Sequence, residues 1–142
     1  MGIDLTPAIL ERAKRRAAKS EVNNYRLSLG DAYDLQFPDH QFDLLMNNYL
    51  FDLLPEDDFV VVLNEFKRVL KPGGRLVLIN MTKGARFYQR FWEAIYHLNP
   101  KWLGGCRGVK LSQTLQTMGF QRIKRETVSQ LGFPSEIITA TV

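Results

Sequence analysis

The alternation of apolar, strand-like segments with an amphipathic, helix-like segment is the feature that most constrains this fold. Residues 42–46 and 75–80 are apolar runs that are typical of buried strands. Between them, apolar residues recur at spacings of three and four from Phe59 to Leu70, which predicts a helix with one buried face. Strands that alternate with helices predict an α/β fold, a three-layer α/β/α sandwich around a mostly parallel sheet.

Turn-forming residues indicate where these elements begin and end. Pro72-Gly73-Gly74 is expected to end the long helix just before the second apolar strand. Near the N-terminus, Thr6 and Pro7 predict a helix start, in which the Thr6 hydroxyl accepts a hydrogen bond from a first-turn N–H. Strands predicted at 121–128 and 135–142 are joined only by a loop and must be antiparallel, which places a reversed strand near the C-terminal edge of the sheet.

Composition and charge restrict the class of protein further. The 142 residues fit a single domain, 1–142. The net charge of +4 comes from basic residues on one helix and in 101–125 rather than from a tail, so it does not favour a nucleic-acid partner. The single cysteine, Cys106, fits a reducing cytoplasm, and no apolar run approaches the ~20 residues of a transmembrane segment. No metal is expected, because His40 and His97 lack metal-ligand spacing with that cysteine.

Several short motifs, in the same order along the chain, resemble class I S-adenosylmethionine-dependent methyltransferases with a Rossmann-like fold. The most recognisable is FKRVLKPGGRL at residues 66–76, which is similar to the family's helix, turn and fifth strand. Gly119-Phe120, before the last two strands, also fits the family pattern. The resemblance covers nearly the whole chain. It implies the family's fold, S-adenosylmethionine as the cofactor, and transfer of its methyl group to a small molecule.

Two acidic residues resemble the family's contacts to the nucleoside of the donor. Asp4, followed by Leu5, matches the carboxylate that accepts hydrogen bonds from both ribose hydroxyls. Asp31, after Gly30, matches the residue that accepts from the adenine amino group, and the N–H of Ala32 would then reach the ring. A carboxylate suits these tasks because its two oxygens can accept from two donors. The alternative for each aspartate is a loop residue that serves only its own turn.

Residues 42–49 resemble the family's fourth strand and the loop that follows it, a place where ligands of open α/β sheets collect. The resemblance implies that Asn47, Asn48 and Tyr49 lie beside the donor. The Tyr49 ring would attract the sulfonium by a cation–π interaction of roughly 0.5–2 kcal/mol. Each of these residues fits an ordinary loop position equally well.

The segment 84–109 is a candidate cap over the acceptor. Its aromatic residues repeat at helical spacing, and methyltransferases that act on small molecules often carry an insertion at this position. The resemblance is nearest to methyltransferases of quinone biosynthesis, which implies an apolar or aromatic acceptor such as a quinone precursor. An ordinary amphipathic helix packed on the sheet fits the pattern equally well, and no catalytic base stands out. The candidate substrate contacts are Tyr88, Phe91, Trp92, Tyr96 and Arg107.

One part of the family pattern is missing from the sequence. The family begins with a strand and a turn of the form Asp-x-Gly-x-Gly-x-Gly, which brings the backbone close to the donor. That strand lies between the family's second and fourth strands, so we expect that a purified monomer of this chain does not bind the donor at micromolar concentration. A homodimer or strand exchange would complete the sheet. The alternative to an active enzyme is therefore a non-catalytic fragment or interaction subunit that needs another chain to complete the donor site.

Overall fold

The computed structural model describes residues 1–20, 23–81, 111–130 and 133–142. The chain divides into two compact units, Met1–Pro38 and Asp39–Val142. The predicted cap and its candidate contacts lie outside the described residues, namely Tyr88, Phe91, Trp92, Tyr96 and Arg107.

The first unit contains a two-stranded parallel sheet and one helix. Strand β1 (Gly2–Asp4) pairs with β2 (Leu27–Leu29), and helix α1 (Pro7–Ala17) connects them. The predicted capping role of the Thr6 hydroxyl is wrong, because its side chain makes no capping hydrogen bond. Instead the Thr6 N–H donates to Oδ1 of Asp4, at 2.7 Å. This charge-assisted bond to a carboxylate two residues earlier forms a local turn. Helix α1 begins directly after that turn.

The second unit contains a four-stranded mixed sheet in the order β3-β4-β6-β5. Its strands are β3 (Phe42–Asn48), β4 (Leu70–Met81), β5 (Gln121–Gln130) and β6 (Phe133–Thr141). Strand β3 is parallel to β4, whereas β6 is antiparallel to both β4 and β5. The α/β class, and a reversed strand next to the C-terminal edge, are therefore confirmed.

Strand β4 begins earlier than its apolar run predicts. The Pro-Gly-Gly sequence lies inside the strand rather than in a separate turn. The N–H of Gly73 donates to the carbonyl of Val142 at 3.0 Å, and the N–H of Val142 donates to the carbonyl of Gly74 at 3.1 Å. Val142 thus extends the pairing of β4 from Arg75 back to Gly73, and Leu70 at the start of the strand pairs with Phe42 of β3.

Two described α-helices belong to the second unit, α2 (Phe59–Val69) and α3 (Ser112–Thr117), and they contact each other. A 3₁₀ helix at Glu56–Asp58 directly precedes α2. The buried side chains of α2 follow the predicted spacing of three and four. Lys67 joins the helices, because its Nζ donates to the carbonyl of Met118 at 2.8 Å and lies 5.6 Å from the centroid of the Phe120 ring. Among the described residues, no helix is long and apolar enough to cross a membrane.

Phe51 fixes the loop after β3 to helix α2. Its fully buried ring meets the rings of Phe59 and Phe66 edge to face, with centroid distances of 5.3 and 6.0 Å. Aromatic pairs in this geometry add stability beyond the area that they bury. The loop at the carboxyl end of β3 is therefore anchored in the core.

We expect Phe51→Ala to lower the free energy of unfolding by about 3–5 kcal/mol, because a large buried side chain is replaced by a cavity. Urea unfolding followed by circular dichroism measures the change. The matched control is Leu53→Ala on the same loop, where the side chain is 59% exposed and a change below ~0.5 kcal/mol is expected. Equal losses in the two variants would show that the loop is not anchored by the Phe51 ring.

Candidate functional site

The two aspartates predicted to contact the nucleoside lie on neighbouring strand ends in the first unit. Asp4 is the last residue of β1, and Asp31 follows β2 after Gly30. The strands are parallel, and the N–H of Gly30 donates to the carbonyl of Asp4 at 3.2 Å. A Cβ on Gly30 would lie 3.1 Å from the Cβ of Ile3, so a residue without a side chain is favoured at this approach. Both carboxylates therefore lie at the carboxyl ends of the two parallel strands, next to each other.

Each of these carboxylates holds its own turn with one oxygen. Oδ1 of Asp4 accepts from the Thr6 N–H, and Oδ1 of Asp31 accepts from the Tyr33 N–H at 2.9 Å. Oδ2 of both residues accepts no hydrogen bond from the part of the first unit that the structure describes. Both side chains are half-buried. The geometry thus leaves one acceptor oxygen on each aspartate available to a ligand.

The residues that flank these aspartates were also predicted to contact the donor. Leu5 follows β1 and is exposed. Ala32 is half-buried in the turn after Asp31. Their positions at the same sheet edge are compatible with the predicted roles, which stay predictions.

In the second unit, the carboxyl end of β3 carries the other predicted donor contacts. Asn48 is exposed, whereas Oδ1 of Asn47 is buried and has no hydrogen-bond partner among the described residues. Tyr49 has a φ of 55°, which is disfavoured for a bulky side chain. Its N–H donates to the carbonyl of Ile79 at 2.7 Å, and its hydroxyl lies 3.0 Å from Oγ of Ser135. Tyr49 is therefore held at the strand ends by β4 and β6.

Sequence reasoning missed Asp52, although an acid inside the apolar run 50–54 was an available signal. Its side chain is only 1% exposed, and both carboxylate oxygens accept the N–H of Met81, at 3.1 and 3.0 Å. This contact fastens the loop after β3 to the end of β4. Burial raises the pKa of Asp52 to about 6, and the Met81 N–H partly opposes the rise.

Sequence reasoning also missed a buried polar pair at the end of β4. Leu76, Leu78 and Asn80 alternate along one buried face of the strand, and Glu136 of β6 lies opposite Asn80. Neither Nδ2 nor Oδ1 of Asn80 has a hydrogen-bond partner in the described ranges, and each such group costs ~1–3 kcal/mol. Glu136, in contrast, forms an ion pair with Arg125. An asparagine that ends an alternating apolar run was the available signal.

These strand ends do not form a metal site within the described residues. No group of three or more His, Cys, Asp or Glu side chains there is arranged to hold a metal ion. The polar groups present are amides, a hydroxyl pair and two buried carboxylates. Such groups can orient a ligand by hydrogen bonds.

A family of methyltransferase domains matches residues 1–74, which is more than half of the chain. The chain therefore belongs to the methyltransferase-domain family, and the class I assignment made from its motifs is confirmed. The cofactor of this class is S-adenosylmethionine, as predicted.

Two curated relatives support the family assignment, and the matched regions show what share of each relative this chain covers. The chain is 27% identical over 129 residues to arsenite methyltransferase of Halobacterium salinarum, which covers 87% of this chain and 31% of that protein. It is 34% identical over 97 residues to demethylmenaquinone methyltransferase of Symbiobacterium thermophilum, which covers 68% of this chain and 38% of that protein. The chain thus spans about a third of the length of these curated relatives.

A solved structure shows the same fold. The SAM-dependent methyltransferase from Thermotoga maritima described as a possible histamine N-methyltransferase has a TM-score of 0.77 at 20% identity. The match covers 99% of this chain and 72% of that chain. At this identity the likeness concerns the fold alone.

The burial of Asp52 predicts a dependence of stability on pH. Because its pKa is raised, the folded state binds the proton more tightly than the unfolded state. The stability from this proton is complete below 3.8, the ordinary pKa, and is lost as the pH rises through about 6. Asp52→Asn keeps an acceptor for Met81 but cannot ionise. The free energy of unfolding of this variant minus that of the wild type should therefore rise by roughly 1–3 kcal/mol from about pH 4 to about pH 7.

Urea unfolding at several pH values measures this difference. The matched control is Leu53→Ala on the same loop, which removes no ionisable group, so its difference from the wild type should not change with pH. A difference for Asp52→Asn that is equally flat would contradict the raised pKa.

Proposed function

We propose that this chain carries most of the catalytic domain of an S-adenosylmethionine-dependent methyltransferase that acts on a small molecule. The observation that carries the proposal is the placement of Asp4 and Asp31 at adjacent ends of two parallel strands, each with one carboxylate oxygen available. Membership of the methyltransferase-domain family supplies the identity of the donor.

The proposed nucleoside contacts use the oxygens that the turns leave unoccupied. Oδ2 of Asp4 would accept from the ribose hydroxyls while Oδ1 stays on the Thr6 N–H. Asp31 would accept from the adenine amino group, and the Ala32 N–H would donate to the ring. Because both turns already orient the carboxylates, little ordering would be required when the ligand binds.

The acceptor is proposed to be apolar or aromatic, of the quinone type. Support comes from the relative named as a demethylmenaquinone methyltransferase, which is 34% identical over its matched region. In the second unit, Asn48 ends β3 and Tyr49 follows it, which supports their proposed contacts because ligands of such sheets bind at the carboxyl ends of the strands. Methyl transfer is an in-line displacement whose rate depends largely on positioning, so these residues would not need to include a dedicated base.

A second candidate function is that of an interaction subunit completed by another chain. Among the described strands, β1 pairs only with β2, and β3 pairs only with β4. The apolar side chains of Leu44 and Met46 on β3 are 48% and 58% exposed. Unpaired strand edges and exposed apolar side chains favour association, either as a homodimer or by strand exchange.

We expect Asp4→Asn and Asp31→Asn each to weaken binding of S-adenosylhomocysteine by roughly tenfold or more, because a charge-assisted hydrogen bond is lost. Asparagine retains Oδ1, so the turns at Thr6 and Tyr33 should persist. Saturation-transfer NMR detects weak complexes and is suited to a chain that spans only part of its relatives. Unchanged affinity in both variants would refute the nucleoside contacts.

The control variant is Asp43→Asn, an exposed carboxylate that is paired with Lys71 and should leave the affinity unchanged. Titration over a range of protein concentrations separates the two candidate functions. If another copy completes the donor site, the affinity for S-adenosylhomocysteine rises together with the dimer fraction seen by sedimentation. If the affinity is independent of concentration, the homodimer version of the second candidate is excluded.

A further inference from the structure

Asn80 interrupts an apolar face at the carboxyl end of β4. Leu76 and Leu78 precede it on that face, and all three side chains are fully buried. On β6, Ile138 lies opposite Leu78, and Glu136 lies opposite Asn80. The face therefore changes from apolar to polar at the edge of the sheet where ligands of α/β proteins bind.

The polar side chains near Asn80 are engaged elsewhere. Glu136 is paired with Arg125, and Asp52 directs both carboxylate oxygens to the N–H of Met81. Within the described parts of the chain, Nδ2 and Oδ1 of Asn80 are left without a partner, although the residue is 0% exposed. Buried side-chain amides in proteins almost always have partners, so this one requires an explanation.

A second unpartnered group lies on the adjacent strand. Asn47 of β3 is in register with Leu78 of β4 and so shares the face that carries Asn80. Its buried Oδ1 also lacks a partner among the described residues. Two neighbouring strands thus present unused hydrogen-bonding atoms on the same side of the sheet. The packing around one strand does not explain why buried polar atoms on two neighbouring strands both lack partners.

We propose that Asn80 is a specificity-determining residue that binds a neutral hydroxyl group of the acceptor, an inference that rests on the methyltransferase function proposed above. The side-chain amide offers a donor and an acceptor, and a hydroxyl offers the same two in return. A carboxylate or phosphate cannot donate to Oδ1. The chemistry of the amide therefore selects a neutral hydroxyl group over an anion, and the aromatic character of the molecule that carries this group comes from the proposed function.

The first test compares two probes that differ by one hydroxyl group, 1-naphthol and naphthalene, in titrations followed by quenching of protein fluorescence. The wild type should bind 1-naphthol at least roughly tenfold more tightly than naphthalene, since a site built for a hydroxyl rejects the analogue without it. Asn80→Leu should abolish this preference and leave naphthalene binding unchanged. A preference that survives in the variant, or is absent from the wild type, would overturn the proposal.

The second test measures the thermal unfolding of the ligand-free protein. Leucine has a similar size and no polar atoms, so Asn80→Leu should unfold at the same temperature as the wild type or at a higher one. A structural role for the amide predicts the opposite, and a clear fall in the unfolding temperature would overturn the proposal. The control is Asn64→Leu, at an exposed position on α2, which should alter neither probe binding nor the preference between probes.

Binding of S-adenosylhomocysteine to Asn80→Leu separates this inference from the proposed function. Asn80 is assigned to the acceptor, so the affinity for this donor product should equal that of the wild type. If the wild type binds the donor product but shows no preference for 1-naphthol, the hydroxyl site is refuted and the methyltransferase function is retained. If the preference depends on Asn80 but saturation-transfer NMR detects no complex with the donor product at any protein concentration, the proposed function is refuted and the hydroxyl site is retained.

Discussion

The second unit depends on the hydrogen bonding of β4 along both of its edges. Strand β3 runs parallel along one edge, and β6 runs antiparallel along the other. Because β6 is reversed, its first residues lie beside the last residues of β4, where Ser135 and Glu136 are opposite Met81 and Asn80. The reversed strand thereby brings polar groups to the carboxyl ends of β3 and β4. A parallel strand at the same place would contribute its last residues instead.

In the first unit, a structural role of Asp4 and Asp31 does not exclude the ligand-binding role that we propose for them. Asp4 and Asp31 each stabilise a turn with Oδ1, which is the local role that any loop aspartate can perform. A carboxylate has a second oxygen, however, and the turn fixes the direction in which it lies. The two roles are therefore compatible, and the turn would orient the second oxygen for the ligand contact that we propose.

Sequence patterns predicted those parts of the fold that depend on neighbours along the chain. The spacing of Phe59 to Val69 predicted α2, and the short connection after β5 predicted the reversed strand. The early start of β4 was not predictable, because it depends on pairing of Leu70 with Phe42 and of Gly73 with Val142, which are distant along the chain. The same limit applies to the site. The positions of Asp4 and Asp31 followed from a motif, whereas the hydrogen-bond partner of the buried Asp52 is Met81, which is 29 residues away.

The unpartnered amide of Asn80, buried at the end of β4, lowers the free energy of unfolding. The fold itself does not require an amide at this position. A net stability of roughly 5–15 kcal/mol is typical of a domain, and one unpartnered buried amide removes a noticeable part of it. Leucine at position 80 would continue the face formed by Leu76 and Leu78 without that cost. Packing alone therefore favours leucine, and the hydroxyl group that we propose as the ligand of Asn80 would account for the amide.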